Sequence, residues 1–182
     1  MFHYRYSPRS GFQANQHDGY VSLGAFGTSC LFIDAFRDPV DPGTRGLRYR
    51  QVPLGELFFA ANHQGQIDKV FRRYKMTWRQ ITQKWGEEAI PEDMRNVARS
   101  KPETEVGMLH IVKPNAEYDP HRIDAAGMKY ASFYVIRDTK TLMERGGYRC
   151  FPYAIARYLT APRELYGRSP AMNVLPSIKV LN

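Results

Sequence analysis

Cysteine is scarce: Cys30 and Cys150 are the two in 182 residues. A disulfide framework needs more, so the fold must rest on its own core. Both cysteines have apolar neighbours (Leu31 and Phe32; Phe151), and both are expected to be buried, reduced thiols. Cys30 with His110 matches no nucleophile signature. Long apolar runs are also missing; none approaches the roughly 20 residues of a membrane-spanning helix. The N-terminus, Met1-Phe2-His3-Tyr4-Arg5-Tyr6, has no signal-peptide core. The expectation is a soluble protein made in the cytoplasm. There are no internal repeats and no low-complexity tracts.

Catalytic and ligand signatures are equally thin. The five histidines, His3, His17, His63, His110 and His121, share no metal-ligand spacing. Asp119, His121 and Asp124 carry ligand chemistry, but beside Pro120 they read as a stabilised turn. Gly24 and Gly27 do not make a phosphate-cradling loop. A Gly-x-Ser-x-Gly elbow is absent. The sequence therefore predicts no enzyme activity, no metal and no cofactor.

What is present is a core and a positive charge. Apolar residues make up 43% and aromatics 13%, enough to pack one domain over residues 1–182. Lysine and arginine number 26 against 18 acidic residues, giving +8. The excess falls in two groups. Arg45, Arg48 and Arg50 form one; Lys69, Arg72, Arg73, Lys75 and Arg79 form the other. The second group is the candidate contact for DNA or an acidic partner. Strand alternation sends Arg72 and Arg73 to opposite faces, so only part of it can meet one duplex.

Periodicity predicts an α+β fold with mostly antiparallel sheet. Residues 12–25 read as a weakly amphipathic helix closed by Gly27. Residues 28–35 read as a buried strand, and 38–43 as a turn-rich loop. A meander follows over 47–52, 56–61 and 66–76, with a four-residue hairpin loop ending at Gly65. Thr77 and Gln80 form a capping box that opens a helix carrying Trp78, Ile81 and Trp85 on one face. Gly86 ends it, and Pro91 starts a second short helix; together they make a helical insertion at about 77–99. Residues 105–113, 128–137, 139–144 and 150–158 read as strands, with a turn at Arg145-Gly146-Gly147. Ser169 as N-cap and Pro170 at the first helical position open a last helix over about 169–182. That helix has apolar residues and no closing glycine or charged tail, so it reads as one that continues.

Several segments in fixed order point further. They are 22–28 (Ser-Leu-Gly-Ala-Phe-Gly-Thr), 48–56, 68–74, 147–153, 156–158, 166–172 and 175–182. Together they resemble the head-to-tail connecting protein family of short-tailed bacteriophages, the portal proteins. The resemblance implies a wing-like piece of a subunit about three times longer. It implies a structural protein of the virion, made in the bacterial cytoplasm, with about a dozen subunits in a ring at one capsid vertex. The implied partners are other portal subunits, capsid protein, terminase, a tail adaptor and double-stranded DNA in passage, without a membrane. Tyr166, Gly167, Arg168, Ser169 and Pro170 become the wing-to-stem junction and a candidate subunit interface. In it Gly167 would supply backbone freedom and Pro170 the helix start. The competing reading is a non-specific nucleic-acid-binding module of a phage or prophage, in which aromatics and cations share one sheet face.

Overall fold

The computed structural model describes residues 2–37, 45–161 and 163–181; the loop expected at 38–43 lies outside them. Among the described residues, eight strands form two antiparallel sheets accompanied by five α-helices. The fold is α+β, as the periodicities predict. The chain forms two compact units, one from Met1–Gly55 with Phe151–Asn182 and the other from Glu56–Cys150.

The first unit holds α1 (Phe2–Arg5), α2 (Phe12–Phe26), β1 (Thr28–Arg37), β2 (Arg45–Gln51), β8 (Tyr153–Arg157) and α5 (Pro170–Leu181). β1 is central, with β2 and β8 on its two sides. Cys30, Phe32, Tyr49, Val52 and Tyr153 are its buried apolar residues. α2 has little amphipathic character. It meets the sheet through Gly19, where an added Cβ would sit 3.0 Å from Ser29 Oγ. Asn15 on the same helix accepts the Gln51 backbone N–H at 2.7 Å, which satisfies the last residue of β2.

The second unit is a five-stranded meander: β3 (Leu57–Ala61), β4 (Ile67–Thr77), β5 (Glu105–Pro114), β6 (Tyr130–Ile136) and β7 (Thr141–Tyr148). Asn62 Oδ1 accepts the backbone N–H groups of Gln64 and Gln66, and Gly65 takes φ +78°, so the expected loop closes the β3–β4 hairpin. Between β4 and β5 come α3 (Trp78–Trp85) and α4 (Glu92–Ser100). The Thr77–Gln80 capping box forms in both directions, at 3.3 and 3.1 Å. Trp78, Ile81, Ile90 and Ala98 then pack with Val106, Met108 and Ile136 into one apolar core. The helix pair thus covers one end of one face of the sheet.

Two expectations fail. Arg145-Gly146-Gly147 is not a turn; β7 runs through it and pairs with β6 at Ser132↔Gly146 and Ala131↔Gly147. An added Cβ at Gly147 would lie 2.8 Å from the Tyr130 carbonyl oxygen, so this glycine marks a close approach within a strand. Cys150 is exposed, because β8 starts only at Tyr153 and leaves Cys150 in the connecting bend.

Candidate functional site

The segment Tyr166–Pro170 is the most closely fitted candidate. α2 ends at Gly27, which adopts φ +73° and donates its N–H to Leu23 O at 2.9 Å. The Gly27 carbonyl accepts from Tyr158 N at 2.9 Å, tying the helix end to the end of β8. Gly167 N–H donates to Thr28 Oγ1 at 2.8 Å, and both residues are buried. An added Cβ at Gly27 would lie 2.5 Å from Gly167 O; one at Gly167 would fall on Gly27 O. Gly167 is not among the residues with positive φ. It is needed for space rather than for backbone freedom, which corrects the sequence expectation.

Arg168 bridges to Leu159 through its backbone N–H. Its guanidinium grips Glu164 with two bonds of 3.0 and 2.6 Å, and that cation holds the Glu164 carboxyl below its ordinary range. Tyr166 is partly exposed, and its partial burial raises the phenol. Ser169 is fully buried and its Oγ accepts the Met172 N–H at 3.0 Å, so the expected N-cap of α5 is present. α5 contacts α2. On α5, Met172, Val174, Leu175, Ile178 and Val180 remain exposed.

The second basic group is divided by the sheet. Arg72 lies on the covered face at 9% exposure, pairs with Glu56 at 2.8 Å and lies over the Tyr74 ring. Lys75 pairs with Glu105, and Arg79 with Glu103, at 2.9 and 2.7 Å on the surface. Lys69 and Arg73 are exposed on the opposite face, with Arg73 over Phe58. A shared five-cation surface does not form. Arg45, Arg48 and Arg50 are exposed on β2, with Arg48 over Phe36.

Sequence reasoning missed a polar row across the covered face. Register pairs Arg72 with His110, His110 with Tyr134, and Tyr134 with Glu144, on four successive strands. His110 and Tyr134 stack at 4.1 Å with rings nearly parallel, and Lys84 Nζ sits 3.5 Å from the Tyr134 centroid. Trp85 Nε1 donates to Glu144 at 2.7 Å, and His110 Nε2 lies 2.9 Å from Ser132 Oγ. Burial, then the charges of Lys84 and Arg72, push His110 down to about 3, so its ring is neutral at pH 7. The alternation of Val70, Arg72 and Tyr74 was the available signal for an inward arginine. His110 could be added only with the register known.

At the loop before β6, Arg122 pairs with Asp124, and Asp119 Oδ1 accepts the His121 N–H at 2.9 Å. These carboxylates stabilise a turn, as expected. Among the described residues no group of three or more His, Cys, Asp or Glu is placed to hold a metal ion. No helix there is long and apolar enough to cross a membrane.

Two sheets, a helical insertion and a glycine-packed lead into a last helix define a β-rich α+β scaffold. Residues 4–182 match the family of the bacteriophage head to tail connecting protein, and the chain belongs to that family. It is similar to the "Probable portal protein" of Bordetella phage BPP-1, 29% identical over 169 residues, 91% of this chain and 29% of that protein. It is also similar to the "Portal protein" of Salmonella phage epsilon15, 28% identical over 166 residues, 89% of this chain and 29% of that protein. The chain thus spans under a third of the length of these relatives.

Proposed function

We propose that this chain is a wing-like part of a phage portal subunit, a structural component of the virion rather than a catalyst. The family match over residues 4–182 carries the reading. In the full-length protein about a dozen copies would form a ring at one capsid vertex. Double-stranded DNA would pass through it. Terminase would dock during packaging, a tail adaptor would attach later, and the shell would be built of capsid protein around it. The protein would be made in the host cytoplasm, with no cofactor.

The exposed apolar side chains of α5, with Tyr20, Val21 and Phe26 of α2, support a subunit contact on this unit. The segment Tyr166–Pro170 is the proposed wing-to-stem junction. Its interlocked glycines suit a joint that must hold the last helix in one direction. Of the cations proposed for DNA, Lys69 and Arg73 can give only weak phosphate contact.

A graft tests the reading. Residues 4–182 replace the aligned stretch of the epsilon15 portal protein, and the purified assembly is weighed by native mass spectrometry. The expected result is a closed ring of about a dozen copies. A folded, soluble graft that stays monomeric would overturn it.

A further inference from the structure

The uncovered face of the five-stranded sheet combines apolar surface with unpaired positive charge. Register places Phe58, Phe71, Ile111 and Phe133 side by side across β3, β4, β5 and β6. Adjacent strands lie about 4.8 Å apart, so this band runs roughly 15 Å. Phe58 is 48% exposed, Phe71 36%, and Leu142 beyond them 52%. Contiguous exposed apolar surface rimmed by polar groups marks interaction sites.

The cations around it set the partner's charge. Lys69, Arg73 and Lys113 are exposed on this face. Arg73 lies 5.6 Å from the Phe58 centroid and Lys113 5.6 Å from that of Phe133. The carboxylates at the margins are engaged elsewhere: Glu105 by Lys75 and Glu117 by Arg145. Among the described residues, Lys69, Arg73 and Lys113 have no carboxylate partner.

We propose that this face docks an acidic segment of another protein, apolar at its centre and carrying carboxylates on both flanks. Apolar groups would cover the phenylalanine band while carboxylates reach Arg73, Lys113 and Lys69. Charge complementarity of this sort fixes the orientation and partner choice of a docked segment. Single-stranded nucleic acid fits less well. Bases stack on free aromatic faces, and here Arg73 and Lys113 already lie over two of the three rings. Duplex DNA would meet the cations and leave the band bare. The inference goes beyond the portal reading and concerns the chain by itself.

Fluorescence anisotropy on the full chain tests it with four probes. They are a Leu-Glu peptide of about ten residues with a central Leu cluster flanked by Glu, its Leu-Lys counterpart, oligo-dT and a duplex. The Leu-Glu peptide should bind most tightly. The double variant Arg73→Glu/Lys113→Glu and the single variant Phe71→Ser should each weaken it by about tenfold or more. All three positions are on the surface, so the thermal midpoint should stay within a few degrees of the parent and certify folding. Tighter binding of oligo-dT or duplex, equal binding of the Leu-Lys peptide, or an unchanged affinity in folded variants would overturn the proposal.

Discussion

Gly27 and Gly167 meet backbone against backbone, and neither position has room for a side chain. One ends α2 in a left-handed conformation; the other precedes α5 in an ordinary one. Thr28 completes the joint by accepting the Gly167 N–H. The direction of α5 from its first unit therefore depends on two missing Cβ atoms 140 positions apart in sequence.

Gly167→Ala should destabilise the chain by about 1–3 kcal/mol through forced overpacking. Gly24→Ala is the control: it sits in α2 with nothing within 4 Å of an added Cβ. Alanine there should stabilise by about 0.5–1 kcal/mol. Urea unfolding of both variants decides. Equal midpoints for Gly167→Ala and the parent would mean that the joint is loose.

Trp78→Ala should cost about 3–5 kcal/mol, because this side chain is almost fully buried in the core between helices and sheet. Trp85→Phe should cost only about 1 kcal/mol, the value of its indole bond to Glu144. Thermal unfolding would separate the two. An unchanged midpoint for Trp78→Ala would contradict the packing described here.

The covered arginine is structural. Arg72→Ala strands Glu56 and should cost about 3 kcal/mol. DNA affinity should be untouched by this change. Lys69→Ala with Arg73→Ala should instead reduce the weak, salt-sensitive DNA binding that a few phosphate contacts allow. Duplex binding titrated at rising salt should fade near physiological strength. Tight binding that survives such salt would favour a nucleic-acid module over a portal part.

His110 makes stability fall with acid. Its folded value is about 3 against 6.5 ordinarily. Above pH 6.5 both folded and unfolded states hold a neutral ring, and the full stability is present. Between 6.5 and about 3 the unfolded chain binds a proton that the folded chain refuses. Stability should drop by up to about 1.4 kcal/mol per pH unit in that window. His110→Phe should lose about 1 kcal/mol at neutral pH, with the Ser132 bond, yet show a shallower slope in acid. An identical slope would mean that the ring is solvated.

Local rules carried most of the fold. Thr77 with Gln80, Ser169 with Pro170, and Asn62 with Gly65 each use contacts within four residues, so the sequence displays them directly. Alternation likewise separated Arg72 from Arg73. What failed depends on partners distant in sequence. Gly146 and Gly147 look like a turn until the first is paired with Ser132 and the second is seen against Met128 and Tyr130. Cys150 has apolar neighbours in sequence but none of the pairing that begins at Tyr153. The polar row from Arg72 to Glu144 exists only through the register of four strands, which no local pattern encodes.

As part of a portal, this chain would sit at a single vertex of a phage particle. Antibody raised against the chain, gold-labelled and applied to partly opened virions of the phage that carries its gene, tests it directly in the electron microscope. Label is expected at a single vertex of each particle. Label spread over the whole shell, or confined to protein outside the particles, would contradict it.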